Sequence, residues 1–513
     1  MPIGSLPPSH ASISIILAEY DIEIKEVETN KFTLDSRSLE NGDVFIALKG
    51  EMSDGRDYIN KAITKGASLV IVDTEDVDAH GKITLNQGIQ VICFYELTKH
   101  LGQLVARYYL GLSRKLFGIA VTGTNGKTSV AQLVASLSSL VGTKAGAIGT
   151  MGVQFFDGTQ HNEKIGETIN TTPDVISAHS FCCALKNKGA ERFCIEASSH
   201  GLHQNRLQGL NITTGIFTNL TQDHLDYHQT MDKYAAAKRR LMAQHGLNSL
   251  VVNIDDQEGL TWIEASGGQK QVCVYSCAAE RPSLCGEHVY LWASNLRYMH
   301  SGCTFLLDSS WGNYDINLPL IGNFNIYNLL AALGALVLQG EHLQELVNKI
   351  GQLRGVPGRM ELFESPQHAN IIVDYAHTPD ALKQALISAK QHTMSNLIVV
   401  FGCGGDRDAS KRSVMGEVSE KWADIVYLTQ DNSRSESPDK IINDIELGIT
   451  DKTKVHKYID RETAIKQAYL GSKNGDLIVV AGKGHEEYLE INGVREYYNE
   501  RDYVNKLTSG NIL

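Results

Sequence analysis

A glycine-rich loop between an apolar run and a helical pattern most constrains the fold of this chain. The loop reads Gly123-Thr-Asn-Gly-Lys-Thr128 and follows Leu116–Val121, a run apolar enough to form a buried strand. After it, apolar residues recur at helical spacing from Val130 to Leu140. Such a loop directs backbone N–H groups at a phosphate, beside which Lys127 supplies a charge. The strict phosphate-loop pattern fails because position 121 is valine, yet the setting predicts a nucleotide-binding loop rather than an ordinary surface turn.

Apolar runs and helical patterns alternate along the rest of the chain. The runs are Val44–Leu48, Ser68–Val72, Gln90–Phe94, Phe193–Ala197, Thr214–Asn219, Leu250–Ile254, Ile371–Tyr375, Leu397–Phe401, Ile425–Thr429 and Leu477–Ala481. This alternation predicts an α/β fold with mainly parallel, doubly wound sheets. The length of 513 residues indicates about three domains. We place them at 1–112, 113–354 and 355–513.

Each of the last four apolar runs leads into polar or glycine residues. In open α/β sheets ligands bind beyond the carboxyl ends of the strands. The sequence therefore predicts that four loops form the rim of one pocket: Asp374–His377, Gly402–Arg407, Asp431–Arg434 and Gly482–Glu486.

Charge and composition exclude several classes of protein. The formal net charge of −12 argues against general nucleic-acid binding, which needs a basic face. The first twenty residues lack a basic segment, so we expect no signal peptide. Leu329–Leu338 is too short to span a bilayer and is predicted to pack in a core. The nine cysteines show no zinc-site spacing and are expected to be reduced and mostly buried. We expect the protein to be soluble, cytoplasmic and monomeric.

Two further polar residues follow predicted strands beside the phosphate loop. Glu196 ends one strand, and His224 lies in the loop Asn219–His228 after the next. Alone, a histidine-rich loop is more often a satisfied turn than a metal site. Beside a phosphate loop, a carboxylate and an imidazole are candidates for a Mg²⁺ site or for water-mediated contacts to phosphate.

Nine motifs now point to a known family. They read GTNGKT, EASSHGL, NLTQDHLDYH, AAAK, GNFNIYN, GRME, DYAHTPD, GCGGDRD and AGKGHE, and with Asp35-Ser-Arg37 they run in order to Glu486. Each motif alone is modest, but the ordered set resembles the Mur ligases over nearly the whole chain. The resemblance implies a small α/β uridine-nucleotide-binding domain, a central P-loop ATPase-like domain with a parallel sheet, and a C-terminal Rossmann-like domain.

The resemblance also implies an activity in cytoplasmic peptidoglycan precursor synthesis. An ATP-dependent ligase would activate a carboxylate of a UDP-N-acetylmuramoyl dipeptide as an acyl phosphate and join it to an amino acid. Mg²⁺ would be the cofactor and ATP a co-substrate. The implied partners are small molecules only, with no nucleic acid and no membrane.

Site residues are carried over at matching positions of the motifs. The implied ATP contacts are Gly123, Thr124, Asn125, Gly126, Lys127, Thr128, Asn325, Asn328, Arg359 and His377. The implied contacts to the UDP substrate are Ser36, Asn170, Thr171, Thr172, Ser198, Gln204 and Arg206. The implied catalytic residues are Lys127, Glu196, His224 and Lys238, and the implied metal site comprises Thr128, Glu196, His224 and Lys238 as a carbamate. From local sequence alone, Lys238 would be a solvated helix lysine.

The amino acid is expected to be meso-diaminopimelate rather than L-lysine. Its additional carboxylate needs a cation, and an arginine can grip a carboxylate with two hydrogen bonds. The family resemblance assigns this contact to Arg434, with Arg407, Asp431, Asn432, Gly482 and Glu486 as the other amino-acid-binding residues. Ser433 stands where the family has proline, so the loop is less preorganised. The competing interpretation is that Arg434 forms only a surface ion pair with Asp431 or Glu436.

Three other functions are compatible with parts of the sequence. A folylpolyglutamate synthetase-like ligase shares the phosphate-loop core, but the DSR and DNxR segments count against it. A P-loop regulatory switch would not need the third domain. A dinucleotide oxidoreductase is suggested only by Gly402-Cys-Gly-Gly405, which lacks the rest of that fingerprint.

Overall fold

The structure is a computed structural model that describes residues 10–50, 53–159 and 162–511. The described residues fall into two compact units. The first runs to Tyr275 and also holds Gly286–Tyr290 and Ala331–Leu346. The second holds Ser276–Cys285, Leu291–Leu330 and the described residues from Val347 onward.

The first unit begins with a five-stranded sheet. Its strands are β1 Phe32–Thr33, β2 Val44–Ala47, β3 Leu69–Thr74, β4 Ile83–Asn86 and β5 Ile89–Tyr95. They lie in the order β1-β2-β3-β5-β4, and only β4 runs antiparallel to its neighbour. The accompanying helices are α1 Ile13–Ala18, α2 Ile59–Thr64 and α3 Leu97–Tyr108. Apolar side chains of α1 and α3 pack on one face of the sheet.

A second sheet forms the body of the first unit. Its strands are β6 Phe117–Thr122, β7 Ala145–Gly149, β8 Gly152–Phe156, β9 Glu163–Gly166, β10 Arg192–Glu196, β11 Ile212–Phe217, β12 Ser249–Asn253 and β13 Gln271–Ser276. The order is β13-β12-β11-β6-β10-β7-β8-β9, parallel from β13 to β7. The helices are α4 Lys127–Leu140, α5 Val175–Asn187, α6 Ser199–His203, α7 Leu225–His228, α8 Met231–Arg239 and α9 Gln257–Ala265.

Three antiparallel strands and two helices follow in the chain. The strands are β14 Val289–Met299, β15 Gly302–Ser309 and β16 Gly312–Leu318. The helices are α10 Asn323–Leu338 and α11 Leu343–Val347. Residues 329–333 on α10 are fully buried, which confirms the predicted core packing of that apolar run.

The last part of the second unit is a six-stranded sheet and a hairpin. The strands are β17 Glu361–Phe363, β18 Asn370–Asp374, β19 Leu397–Phe401, β20 Ile425–Leu428, β21 Val455–Lys457, β22 Leu477–Ala481, β23 Tyr488–Ile491 and β24 Val494–Tyr497. The sheet order is β17-β18-β22-β19-β20-β21, parallel except for β17, and β23 pairs with β24. The helices are α12 Pro379–Lys390, α13 Ser410–Trp422, α14 Pro438–Glu446, α15 Arg461–Gly471 and α16 Glu500–Thr508.

Short 3₁₀ helices connect several of these elements. They are Gly55–Tyr58, Val77–Ala79, Leu112–Lys115, Arg240–Ala243, Ser283–Gly286, Ile350–Gln352 and Lys452–Lys454.

Local sequence explains where the helices around the predicted sites begin. Thr378 caps α12 by accepting the N–H of Ala381, and Pro379 occupies the first turn, where no N–H partner is lost. Asp460 caps α15 in the same way at Thr463. These caps therefore fix the points at which the preceding loops enter the helices.

The predicted α/β fold is confirmed, and each apolar run that was predicted as a strand overlaps one. The domain boundaries at 112 and 354 stay a prediction. The predicted strand Thr214–Asn219 lies two residues too far along the chain, since the observed strand is Ile212–Phe217. Thr218 and Asn219 leave the sheet and bond the phosphate loop. No disulfide joins the nine cysteines, all of which lie in described residues. Within the described ranges, no helix is long and apolar enough to cross a membrane.

A buried ion pair fastens the ends of two strands in the second unit. Arg461 on α15 pairs with Glu500 on α16, and neither side chain is more than 1% exposed. Arg461 also donates to the carbonyls of Gln430, at 3.2 Å, and Ala481, at 2.8 Å. These carbonyls directly precede Asp431 and Gly482, two of the predicted amino-acid-binding residues.

Replacing Glu500 should destabilise this unit strongly. Glu500→Ala leaves Arg461 buried without its counter-charge, at a cost of about 3–5 kcal/mol in the free energy of unfolding. Hydrogen exchange of peptides covering β20 and β22 in increasing urea measures this cost. Exposed Glu496→Ala on β24 is the matched control, expected to change stability by less than about 0.5 kcal/mol. Equal behaviour of the two variants would contradict the structural role of the pair.

Candidate active site

Three neighbouring parallel strands place the phosphate loop and the predicted metal ligands together. The order β11-β6-β10 brings the carboxyl ends of these strands to one edge of the sheet. The phosphate loop follows β6, Glu196 ends β10, and the loop with Asn219 and His224 follows β11. The sheet therefore brings together the phosphate loop, Glu196 and the loop with His224, which span about a hundred residues of the sequence.

The phosphate loop is held by the segment that follows β11 and by its own lysine. Gly126 has φ +86° and precedes Lys127, the first residue of α4. Asn219 Oδ1 accepts the N–H of Asn125 at 2.9 Å, and Thr218 Oγ1 donates to the Asn125 carbonyl at 2.6 Å. Lys127 Nζ lies 2.9 Å and 2.8 Å from the carbonyls of Gly123 and Thr124. The loop thus keeps its lysine over its own backbone, at the start of a helix that favours anions.

Glu196 lies beside the loop and is only 2% exposed. Its carboxylate accepts from Thr128 Oγ1 at 2.9 Å and from the Thr150 N–H at 2.8 Å. A Cβ on Gly149 would stand 2.0 Å from Glu196 Oε1, so the close approach requires glycine there. The hydroxyl and the carboxylate present oxygen atoms, the donors that Mg²⁺ prefers, so these two residues fit a magnesium site. Thr150 was missed because it lies in a turn after β7 without a recognisable motif.

Lys238 corrects the interpretation from local sequence alone. It is not a solvated lysine but 1% exposed, with Nζ 2.8 Å from the Gly123 carbonyl and 4.3 Å from the Tyr234 ring centre. The same carbonyl accepts from Lys127. Burial, and then the charge of Lys127, lower the pKa of Lys238 to about 6. Because two arginines follow Lys238, the local sequence does not show that Ala235, Ala237 and Lys238 are on the buried side of α8.

His224 lies at the edge of a cluster of aromatic rings. It has φ +52°, its side chain is 45% exposed, and its Nε2 lies 3.5 Å from Asp223. Its ring centre is 4.9 Å from that of His200. Among the described residues, no three His, Cys, Asp or Glu side chains are grouped to hold a metal ion. An imidazole is not a preferred Mg²⁺ ligand, and the role of His224 stays a prediction.

Most of the predicted substrate contacts in the first unit form one network. Thr172 Oγ1 bonds the Glu196 carbonyl at 2.7 Å and Ser198 Oγ at 2.9 Å. Arg206 donates to the Thr172 carbonyl at 2.7 Å and to Gln204 Oε1. Thr171 contacts Thr150 at 3.3 Å, while Asn170 is exposed just before it. Ser36 is 5% exposed in the N-terminal sheet region, in a turn closed by the Asp35–Arg37 pair.

The four predicted loops of the second unit do lie at one edge of their sheet. They follow β18, β22, β19 and β20, which are consecutive parallel neighbours. Gly358 and Gly484 have φ +66° and +53°, and a Cβ on Gly358 would stand 2.2 Å from the Gly484 carbonyl carbon. The segment with Arg359 and the segment with Glu486 therefore pack backbone against backbone, which only glycine allows.

Lys483 is the centre of the predicted amino-acid site, and sequence reasoning missed it. Its side chain is 0% exposed, with Nζ 2.7 Å from Glu486 Oε2 and 3.0 Å from Asn432 Oδ1. Asp431 lies 3.9 Å away. A buried cation of this kind keeps the side chains of Asn432 and Glu486 in fixed positions. Its only signal in the sequence is its place inside the AGKGHE motif.

Arg434 forms neither of the two ion pairs considered from sequence. Its Nη1 donates to the Gly405 carbonyl at 2.7 Å, and its Nε lies 3.9 Å from Glu490. Glu436 instead pairs with buried Arg412, which lowers the pKa of Glu436 to about 2. Ser433 is 1% exposed and its hydroxyl has no hydrogen-bond partner among the described residues. Arg407 is exposed in the loop after β19.

The remaining predicted ATP contacts also lie in the second unit. Asn325 and Asn328 are buried near the start of α10, joined by a side-chain bond of 3.1 Å. The Arg359 guanidinium stacks 4.8 Å from the Tyr375 ring centre, and its buried Nε has no hydrogen-bond partner in the part of the chain that the structure describes. His377 is exposed, with Nδ1 2.8 Å from the Tyr375 carbonyl. The contacts of these residues to ATP stay predictions.

Comparisons with known proteins agree on one family. Models described as Mur ligase family, catalytic domain, Mur ligase middle domain, and Mur ligase, glutamate ligase domain match residues 29–109, 121–336 and 358–484. The chain is 39% identical over 477 residues to UDP-N-acetylmuramoyl-L-alanyl-D-glutamate--2,6-diaminopimelate ligase of Haemophilus influenzae, covering 93% of this chain and 96% of that protein. It is 38% identical over 503 residues to the Vibrio cholerae protein of the same name, covering 97% and 99%.

A solved structure gives the same result. A structure of UDP-N-acetylmuramoyl-L-alanyl-D-glutamate--2,6-diaminopimelate ligase superposes with a TM-score of 0.72 at 35% identity, covering 98% of this chain and 99% of that one. A structure of UDP-N-acetylmuramoylalanyl-D-glutamyl-2,6-diaminopimelate--D-alanyl-D-alanyl ligase from Acinetobacter baumannii, at 16% identity and a TM-score of 0.61, shares the fold.

Lys238 should form a carbamate near neutral pH. A lysine with the ordinary pKa of about 10.4 is protonated there and does not react with CO₂. Since the pKa of Lys238 is about 6, its amine is neutral above that pH and can add CO₂ with loss of a proton. With ¹³C-bicarbonate at about pH 8, ¹³C NMR should show one carbamate signal that fades as the pH falls through about 6. Lys238→Ala should remove the signal.

Lys233 offers a matched control on the same helix. It is exposed and its Nζ bonds Gln229 at 2.7 Å. Lys233→Ala should leave the carbamate signal unchanged. A signal that survives in Lys238→Ala would assign the carbamate elsewhere.

Proposed function

The chain belongs to the Mur ligase family, and we propose that it adds meso-diaminopimelate to UDP-N-acetylmuramoyl-L-alanyl-D-glutamate, using ATP. The named relatives match over nearly their full length, and the solved structure of that name shares the whole fold. The reaction belongs to peptidoglycan precursor synthesis, for which we propose a cytoplasmic location. The observation that carries the amino-acid choice is the convergence of Asp431, Asn432, Arg434 and Glu486 at one sheet edge.

The phosphate loop supports activation of the acceptor carboxylate. A carboxylate is a poor acyl donor, because its leaving group would be oxide. Transfer of the γ-phosphoryl group of ATP gives an acyl phosphate, from which an amine displaces phosphate to form the amide. Both reactants of the first step are anions, so the charge of Lys127 at the loop lowers their repulsion. Thr172 bonds the Glu196 carbonyl, and Ser198 and Arg206 both bond Thr172, so these three residues would hold the acceptor near Glu196.

The charges at the phosphate loop support two further proposals, a Mg²⁺ site and the carbamylation of Lys238. Mg²⁺ would be held by Thr128 and Glu196 and would neutralise phosphate charge during transfer. Lys127 and Lys238 share one carbonyl acceptor, which places two amines close together in a buried site. Carbamylation of the neutral Lys238 amine would place an anion beside the charge of Lys127 and the proposed Mg²⁺, both of which attract it.

The second unit supports diaminopimelate as the amino acid. Its distal end carries an ammonium and a carboxylate, which need both an anion and a cation. Glu486 and Asp431 supply negative charge, held by Lys483, and Arg434 supplies positive charge. Among the described residues, the Arg434 side chain gives one of its five N–H donors to Gly405, which leaves enough donors for a bidentate contact. Lysine lacks the distal carboxylate, so its binding would leave the guanidinium unmatched.

Turnover with each amino acid tests the proposal. With UDP-N-acetylmuramoyl-L-Ala-D-Glu and ATP, kcat/KM should be on the order of a hundredfold higher for meso-diaminopimelate than for L-lysine. Arg434→Ala should lose most of that preference by reducing diaminopimelate use. Ligation and phosphate release are measured together across both amino acids. Equal or better use of lysine by the wild type would refute the assignment, and an unchanged preference in Arg434→Ala would exclude Arg434 from it.

A further inference from the structure

The hairpin β23–β24 is bound to the loop Asp431–Arg434 through the backbone of one residue. The N–H of Glu490 donates to Asn432 Oδ1 at 2.9 Å, and its carbonyl accepts the N–H of Arg434 at 2.9 Å. The carbonyl of Arg434 in turn accepts the N–H of Asn492 at 2.6 Å. The backbone of Glu490 is therefore held to the loop by hydrogen bonds from both its N–H and its carbonyl, which places its side chain next to the loop.

This attachment places a carboxylate beside the predicted specificity arginine. Glu490 Oε2 lies 3.9 Å from Arg434 Nε and 3.3 Å from Arg495 Nε. The side chains of Glu490 and Arg434 are 19% and 22% exposed, whereas Arg495 is 64% exposed. At 3.9 Å the contact to Arg434 is electrostatic and not a hydrogen bond, so the donors of Arg434 are retained.

We propose that Glu490 is a specificity-determining residue of the amino-acid site, acting on the distal carboxylate of the substrate by competing for Arg434. The inference rests on the proposed diaminopimelate ligase activity. A substrate carboxylate at Arg434 meets the negative charge of Glu490 a few ångströms away, which weakens its binding. Arg495 opposes this effect, because it shares the Glu490 charge from the solvent side. Glu490 and Arg495 together therefore set how strongly Arg434 attracts the distal carboxylate of the substrate.

Substitutions of Glu490 and of Arg495 should change the KM for diaminopimelate in opposite directions, which distinguishes this role from a structural one. Glu490→Gln keeps the backbone bonds and the side-chain shape but removes the charge, so the KM for diaminopimelate should fall about threefold. Arg495→Gln leaves Glu490 facing Arg434 alone, so the same KM should rise about threefold. The KM for ATP should not change in either variant. Use of lysine, which has no distal carboxylate, should not improve in Glu490→Gln.

Glu496 on the opposite strand of the hairpin is the matched control. It is exposed and pairs with Leu489 in the strand register. Glu496→Gln removes the same charge from the same hairpin and should leave the KM for diaminopimelate unchanged. A merely structural hairpin would raise KM in both Glu490→Gln and Arg495→Gln, and that result would overturn the assignment.

The failure of this inference is distinct from the failure of the proposed function. A wild-type enzyme that does not ligate diaminopimelate refutes the function, and the role of Glu490 with it. A wild type that ligates diaminopimelate, together with a Glu490→Gln variant of unchanged KM, refutes only the role of Glu490.

Discussion

Parallel pairing of neighbouring strands is the constraint on which both halves of the chemistry depend. In the first unit, β11, β6 and β10 end at the same edge, so the phosphate loop, Glu196 and the segment with Asn219 meet there. In the second unit, β18, β22, β19 and β20 do the same for four polar loops. Close packing of the buried apolar strands holds these strand ends in place, which loops alone could not do. Removing any one central strand would separate residues that act together.

Buried charge is the second common feature, and in each unit it is placed where it orients a loop. Lys238 bonds the phosphate loop through the Gly123 carbonyl, Lys483 holds Asn432 and Glu486, and Arg461 holds the carbonyls before Asp431 and Gly482. A buried ion is costly unless it is paired and fully hydrogen-bonded. Arg461 and Lys483 have carboxylate partners. Burial and the charge of Lys127 instead lower the pKa of Lys238 to about 6, so its amine can be neutral. Because of this difference, we expect Lys238 to be the one of the three that reacts with CO₂.

The sequence predicts the frame of the site better than its interior. Apolar runs ending in glycine or polar residues locate the strand ends, because a buried parallel strand and its ligand-binding loop each need a distinct composition. The burial of Lys238 and Lys483 could not be read in the same way, since burial depends on elements distant in the chain. Thr150 and Glu490 carry no local signal either, as each acts through a partner in another loop. The antiparallel strands of 289–318 were missed because the predicted strands are continuous apolar runs, whereas these strands alternate more buried with more exposed residues.

The transfer of oxygen from the acceptor to phosphate tests the central claim most directly, namely that the phosphate loop activates a carboxylate as an acyl phosphate. The acceptor UDP-N-acetylmuramoyl dipeptide is labelled with ¹⁸O in the reacting carboxylate and incubated with ATP and diaminopimelate. Mass spectrometry of the released phosphate then counts the labelled oxygen. We predict that each phosphate formed with the amide carries one ¹⁸O atom. Amide formation with unlabelled phosphate would contradict the mechanism, because the carboxylate oxygen would then not have been phosphorylated.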